Sequence, residues 1–181
     1  EMGPKIVVSF ELAFLAIIFA VIMGVPIGVY SAMRQDRWPD YVLRSLAIFW
    51  LSVPGFLIAT LVLAVLAKNW GWIPPIRYQS LADDPLANIQ QLWMPALIVS
   101  LATSAQVMRF ARTMMLDVLR QDYIRTAWSK GLRERAIITQ HALRHAMLPV
   151  TTVIGLALAT LIGGTVIFEQ LFVIPGLGRH L

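Results

Sequence analysis

The stretch Asp122-Tyr-Ile-Arg-Thr-Ala-Trp-Ser-Lys-Gly-Leu132 is a charged segment set between two long apolar runs. Asp122 is a candidate N-cap, because a carboxylate at this position accepts hydrogen bonds from the free N–H groups of the first helical turn. Gly131 is a candidate stop, because glycine tolerates the left-handed conformation that closes a helix. The stretch therefore predicts a short helix that lies across the end of a helical bundle, at the membrane surface.

The sequence on either side of this short helix also has helical patterns. From Arg109 to Gln121 the apolar residues extend the preceding apolar run as a helix beyond the bilayer. A further helix is predicted from Leu132 to Met147, and Leu148-Pro149 then returns the chain to the membrane. The two faces of that further helix differ: one carries Arg133, Gln140 and Arg144, and the other carries Ile138, Ala142 and Ala146.

Four apolar runs are long enough to cross a membrane, which takes about 20 predominantly apolar residues. They cover residues 6–30, 46–67, 92–108 and 148–168. The first has a Gly24-Val-Pro-Ile-Gly28 break near one end, and the second contains Ser52-Val-Pro-Gly55. The prediction is an all-α fold: a polytopic bundle of about four transmembrane helices, in which residues 1–181 form a single domain with a cytosolic loop at 109–147.

The composition supports a membrane protein. Hydrophobic residues make up 58% of the chain and charged residues 14%, whereas soluble domains carry about 25% charged residues. The net charge of +5 is attributed to membrane topology and not to nucleic acid, because the basic residues lie outside the apolar runs. The absence of cysteine excludes disulfides and Cys-based zinc sites. Since the chain begins at Glu1 without an initiator Met, it is interpreted as an excerpt of a longer protein.

The distribution of Lys and Arg predicts the orientation, because cytosolic connections are enriched in both residues. Eleven of the fifteen flank the first connection or fill the third, namely Arg34, Arg37, Arg44, Arg109, Arg112, Arg120, Arg125, Lys130, Arg133, Arg135 and Arg144. The other side holds Lys5, Lys68, Arg77 and Arg179. The first and third connections are therefore placed in the cytosol, and the connection of residues 68–91 is placed outside as a turn-rich loop with Trp residues at the membrane interface.

Two motifs carry a resemblance to a known family. The run Asp122-Tyr-Ile-Arg-Thr-Ala-x-x-Lys-Gly-Leu, followed by His141-Ala-Leu-Arg-His-Ala-x-Leu-Pro149, resembles the cytoplasmic EAA loop of binding-protein-dependent ABC importer permeases. The run Glu169-x-x-Phe-x-x-Pro-Gly-Leu-Gly178 is similar to the signature of the dipeptide, oligopeptide and nickel branch. Arg125-Thr126-Ala127 stands where the general pattern has Glu-Ala-Ala, and Leu148-Pro149 comes five residues late. In both departures from the general pattern, the sequence resembles the peptide-importer branch.

The resemblance implies a transport subunit without catalysis of its own. In this family the short transverse helix is a coupling helix seated in a cleft of a separate ATPase, and the implied coupling residues are Tyr123, Arg125, Thr126, Ala127, Lys130 and Gly131. The sequence has no G-x-x-x-x-G-K-[ST] phosphate loop, so ATP hydrolysis is expected on a partner chain. The implied partners are a second homologous permease, two cytosolic ABC ATPase subunits, an external solute-binding protein and membrane lipid, in a prokaryotic inner membrane. No cofactor, metal or nucleic acid is expected.

Two further sets of residues are candidates for transport. Hydroxyl and small residues in the spans either line a translocation path or serve close helix packing; they are Ser100, Thr103, Ser104, Thr151, Thr160, Gly163 and Gly164. The external motif comprises Glu169, Pro175, Gly176 and Gly178. Because Pro175-Gly176 favours a turn, this motif is expected to fold back into the outer mouth and not to extend as a linker.

Two other classes of protein fit the sequence less well. A secondary transporter, or another polytopic protein without an ATPase, normally keeps ionisable groups in the middle of its spans, and these runs have none there. A membrane-anchored enzyme needs paired catalytic groups. His141 and His145 are spaced for one helix face, but Ala142 stands where a zinc protease needs its Glu. Both histidines are therefore expected to be solvated or hydrogen-bonded. The transported solute, whether a peptide, nickel or another, is not determined by the sequence.

Overall fold

The computed structural model describes residues 3–75 and 78–177. Within these ranges the regular structure is entirely helical, as the sequence predicts. The helices are α1 (Gly3–Met33), α2 (Trp38–Ser52), α3 (Gly55–Trp70), α4 (Pro85–Leu119), α5 (Asp122–Ser129), α6 (Glu134–Gly164, with a π-helical segment at Ile137–Ala142) and α7 (Val166–Leu171).

The long apolar helices overlap the predicted spans, with different ends. By length and composition α1, α4 and α6 can each cross a membrane, and α2 with α3 makes a fourth span if the bent pair is taken as one. The predicted helix 132–147 and the predicted span 148–168 are not separate elements. They join as α6, which passes through Pro149 and ends at Gly164.

The prediction of one continuous helix over 46–67 is wrong. The chain turns by 92° between α2 and α3. Proline lacks the N–H that a helix interior needs, and it disfavours helical geometry in the residue before it. Val53 is accordingly extended, at φ −87° and ψ 124°, and α3 starts at Gly55 directly after Pro54. A β-carbon on residue 55 would lie 2.9 Å from Phe168 Cζ, so glycine here leaves room for the Phe168 ring.

The predicted break at Gly24–Gly28 is also wrong, because α1 continues through it to Met33. The two glycines instead let α1 and α4 pack closely. A β-carbon would lie 2.7 Å from the Ser104 carbonyl oxygen at residue 24, and 2.5 Å from the Met108 carbonyl oxygen at residue 28. Such small-residue spacing is typical of close helix contacts in membranes.

Helix α4 is the centre of the bundle, and α1, α2, α3 and α6 all contact it. At one end, here called the outer end, Leu12 of α1 and Leu92 of α4 are buried together with Phe172 and Ile174. At the opposite end, here called the inner end, α5 packs against α4 and α6. The outer end also contains the α3–α4 connection, and the inner end contains the turn between α1 and α2.

Candidate functional site

Helix α5 is a small amphipathic helix at the inner end, and its two faces have different environments. Ile124 is fully buried and Ala127 is 7% exposed. Both pack in a cluster with Met115 of α4 and with Ile137 and Ala142 of α6. The inward face of α5 therefore belongs to the core of this chain.

The outward face of α5 is open. The exposed residues of α5 and its C-terminal end are Asp122, Tyr123, Arg125, Thr126, Trp128, Ser129 and Lys130. Trp128 is 48% exposed, which is notable because exposed tryptophans are enriched at the energetic centres of protein interfaces. The sequence interpretation did not single out Trp128, and helical spacing alone would not have done so, because Trp128 lies four residues after the buried Ile124.

Ala127 lies on the inward face of α5. The family resemblance places it among the residues that couple the permease to a partner ATPase. In the structure Ala127 faces the permease's own core, where a larger side chain would overpack the contacts with α4 and α6. The residues available to a partner lie on the other face of α5.

The ends of α5 confirm one predicted signal and correct the other. Gly131 adopts φ +74°, and the N–H of Leu132 donates to the Ala127 carbonyl at 3.4 Å, so glycine does close the helix. Asp122 is not the N-cap. It is the first helical residue, Gln121 precedes it without a side-chain cap, and the Asp122 carboxylate lies 3.7 Å from Arg125. That ion pair is exposed and contributes little to stability.

A buried ion pair joins α2 to α4 beside this end of the bundle. Arg112 Nε and Nη2 each donate to the Asp40 carboxylate at 2.7 Å, and Asp40 is fully buried. Ser31 Oγ and the Asp36 N–H donate to the same carboxylate. Sequence reasoning missed this cluster because Asp40 and Arg112 are 72 residues apart.

One face of α4 is left uncovered next to α2. Gln106, Arg109 and Thr113 are exposed at helical spacing on this face, and they line a cavity of about 270 Å³ with Leu51 and Phe110. We call this cavity and the adjoining one at Arg44 the α2–α4 groove. A polar stripe that reaches into a predicted span is not expected to face lipid. The helical spacing of polar residues at 106, 109 and 113 is a signal in the sequence that could have predicted this polar stripe.

The predicted path residues divide into two groups. Ser100 and Thr103 are buried in α4, and the hydroxyls of Ser100 and Ser104 donate to the carbonyls of Leu97 and Leu101. This placement favours helix packing over lining a path. The other predicted path residues, Thr151, Thr160, Gly163 and Gly164, are exposed on α6. Further small residues are exposed between them, namely Thr152, Gly155 and Ala159.

The segment that follows α6 packs back against the outer end of the bundle, as the predicted fold-back requires. Phe172 and Ile174 are buried, and the Leu177 N–H donates to Ser9 Oγ of α1 at 3.0 Å. Glu169 is fully buried and its carboxylate accepts from Thr165 Oγ1 at 2.9 Å. Of the predicted external motif, Glu169, Pro175 and Gly176 belong to this fold-back, whereas Gly178 lies outside the described residues.

A second polar cluster ties the α3–α4 connection to α1. The Tyr78 hydroxyl and the Asn88 amide both donate to Glu11 Oε2, the amide at 3.2 Å. Asn88 also donates to the Gln79 carbonyl at 2.9 Å. Burial and the hydrogen bond to Glu11 raise the pKa of Tyr78 well above its usual range. The tyrosine therefore remains a neutral donor at physiological pH.

The histidine pair lies on α6 and is not brought to a shared site. His145 is exposed, and its ring meets the ring of Tyr123 edge to face at a centroid distance of 5.5 Å. His141 is half-buried. The contact with Tyr123 helps to orient α5 on α6.

The fold and these surfaces define a class: a polytopic helical membrane protein whose short inner helix is held between two long ones. More narrowly, the chain belongs to the family described as binding-protein-dependent transport system inner membrane component, whose model matches residues 24–181.

Relatives within this family have names that refer to peptide transport. The chain is 40% identical over 180 residues to a putative peptide transport system permease protein of Brucella suis biovar 1, covering 99% of this chain and 57% of that protein. It is 39% identical to a dipeptide transport system permease protein of Bacillus subtilis (96% and 54% covered). It is 37% identical to a glutathione transport system permease protein of Pectobacterium atrosepticum (100% and 56% covered). The chain thus spans little more than half the length of these relatives.

A solved structure shows the same fold. It is an inward-facing form of the MetNI methionine ABC transporter, with a TM-score of 0.77, 13% identity, and coverage of 99% of this chain and 77% of that chain. At this identity the likeness is one of fold.

Proposed function

We propose that this chain is a membrane-spanning permease subunit of an ATP-driven importer for peptides or a related small solute. The observation that carries the proposal is the arrangement of α5. Its inward face is built into the permease core through Ile124 and Ala127, and its outward face presents Trp128 to a partner. A force applied to α5 would be transmitted to α4 and α6 through this packing.

The partners follow from the same geometry and from the family. A separate ABC ATPase would bind the outward face of α5, and an external solute-binding protein would deliver the solute to the outer end. The open face of α6, with its small residues at 151–164, would meet a second permease or the translocation path between the two. The names of the relatives support peptides as the solute class.

The test is the purification of the complete transporter from native membranes, followed by reconstitution into proteoliposomes. Co-purification with an ABC ATPase, and import of radiolabelled dipeptides and tripeptides that requires ATP hydrolysis, would support the proposal. Import driven by a proton gradient without ATP would contradict it and favour a secondary transporter. Loading vesicles with a non-hydrolysable ATP analogue provides the matched control.

A further inference from the structure

The inner part of the α2–α4 groove brings three arginines together. A cavity of about 210 Å³ is lined by Arg44 and Ile48 of α2 and by Arg109, Arg112 and Thr113 of α4. It adjoins the cavity at Gln106, and the two cavities share Arg109 and Thr113. Three arginine side chains therefore line one small space.

One of these three arginines is neutralised. Arg112 makes the two-point ion pair with Asp40. The Asp40 carboxylate is fully buried and also accepts from Ser31 Oγ and the Asp36 N–H. This carboxylate is therefore committed to α4 and to the α1–α2 turn, and it is not available to the other two arginines.

Arg44 and Arg109 have no such counter-charge. Across residues 3–75 and 78–177, no carboxylate lies within 4.0 Å of either guanidinium group. The Arg44 guanidinium lies 5.9 Å from the centroid of the Tyr41 ring, which leaves its N–H donors unpaired with any anion. Both side chains are exposed, so their N–H donors are open to an anion that enters the cavity.

The chemistry of the surroundings points to the form of that anion. A guanidinium group binds a carboxylate through two parallel hydrogen bonds, which makes arginine well suited to this group. Beyond Arg109, Leu51 and Phe110 provide an apolar wall and Gln106 adds an amide. A carboxylate at the arginines would leave room for an amide backbone and small side chains in the adjoining cavity.

We propose that Arg44 and Arg109 bind the carboxylate of the transported solute as it leaves through the inner end of the groove. The proposal rests on the proposed import function and adds to it the chemical group that the permease itself recognises. For a peptide, that group is the C-terminal carboxylate.

The experiment compares two probes in proteoliposomes that contain the complete transporter and its binding protein. They are trialanine, which has a free C-terminal carboxylate, and trialanine amide, which has none. Arg44→Ala and Arg109→Ala should each slow trialanine import about tenfold, because a charge-assisted pair is lost, and should change import of the amide by less than about twofold. Arg109→Lys, which keeps the charge without the planar fork, should fall between Arg109→Ala and the wild type. Arg34→Ala removes an exposed arginine of the α1–α2 turn that lines neither cavity, and it is the matched control.

A second measurement detects contact between the probe and the permease without relying on delivery by the binding protein. Saturation-transfer NMR on the nucleotide-free transporter in nanodiscs should show contact with trialanine, weaker contact with the amide, and loss of the trialanine signal in Arg109→Ala. Equal losses for both probes would overturn the proposal and indicate a carboxylate of a partner subunit. A loss that follows the phosphatidylglycerol content of the bilayer would overturn it in favour of a lipid headgroup. If the wild type imports neither probe, the proposed function fails as well, whereas normal import by both variants overturns the arginine assignment alone.

Discussion

Arg112 and Asp40 form a two-point ion pair, with both N–O distances at 2.7 Å, that links the C-terminal part of α4 to the first turn of α2. The arginine side chain is 14% exposed and the aspartate side chain is fully buried. Four donors converge on one carboxylate here. Because α2 would otherwise approach α4 mainly through small and apolar contacts, this pair sets where α2 begins on the bundle.

Asp40→Asn should destabilise the permease by about 3–5 kcal/mol, because it leaves the Arg112 charge partly buried without a partner. The measurement is the thermal unfolding of the purified transporter in detergent. Asp36→Asn is the matched control, since the Asp36 side chain is exposed in the same turn and contributes its backbone N–H to the cluster. Equal melting temperatures for Asp40→Asn and the control would show that the pair contributes no stability.

Gly176→Ala should destabilise the outer end by about 1–3 kcal/mol, as overpacking does. A β-carbon on residue 176 would lie 2.7 Å from Glu169 Oε1 and closer still to the carboxyl carbon. Adding Glu169→Ala should remove this clash, so the double variant should be more stable than the sum of the two single changes predicts. A double-mutant cycle on thermal unfolding measures the coupling, and additive effects would contradict the contact.

Trp128→Ala should weaken assembly with the ATPase by about 2 kcal/mol, or roughly thirtyfold in affinity, without lowering the stability of the permease. Ala127→Leu should instead lower the stability of the permease, because it overpacks the cluster with Met115 and Ile137. Its primary effect should not be on the affinity for the ATPase. Affinity for the purified ATPase and thermal unfolding of the permease are measured in parallel. If Ala127→Leu weakens assembly while stability is unchanged, the inward face of α5 would be the docking face.

Cysteines at Asp83 and Arg133 should label from opposite sides of the membrane, because the distribution of Lys and Arg places these positions on opposite faces. Both side chains are exposed, and the chain has no cysteine of its own. A membrane-impermeant maleimide added to spheroplasts should label Asp83→Cys, and should label Arg133→Cys only after the membrane is permeabilised. Labelling of both positions from outside would contradict the predicted orientation.

A cysteine at position 177 should react more slowly with a hydrophilic thiol reagent than a cysteine at position 83. Leu177 is half-buried and its N–H donates to Ser9 Oγ. Ser9→Ala in the Leu177→Cys background should increase the labelling rate, because it removes the acceptor that holds the segment on α1. Labelling of Leu177→Cys as fast as that of the position 83 cysteine would contradict the fold-back.

Much of this architecture can be predicted from local sequence. The apolar runs predict α1, α4 and α6, because a bilayer demands about 20 apolar residues per span whatever the neighbouring helices do. The C-terminal end of α5 is similarly local, since the left-handed conformation at Gly131 ends the helix within its own turn. The alternation of polar and apolar positions in residues 133–146 correctly predicts which face of α6 is buried.

Other features depend on which helices meet. Gly24 and Gly28 read as a break in isolation and become a packing surface only because α4 lies against them. The same holds for Ala127, whose small size suits either a partner or the permease core until α4 and α6 are placed around it. The pairs Asp40–Arg112 and Glu11–Tyr78 join residues 72 and 67 positions apart. Hydropathy and helix propensity act over one or two turns, whereas these contacts arise from the register and crossing of whole helices. The sequence by itself thus determined the long apolar helices and the end of α5 and predicts their sides of the membrane. Only tertiary packing decided which faces are joined and which, on α5, α6 and the α2–α4 groove, remain open.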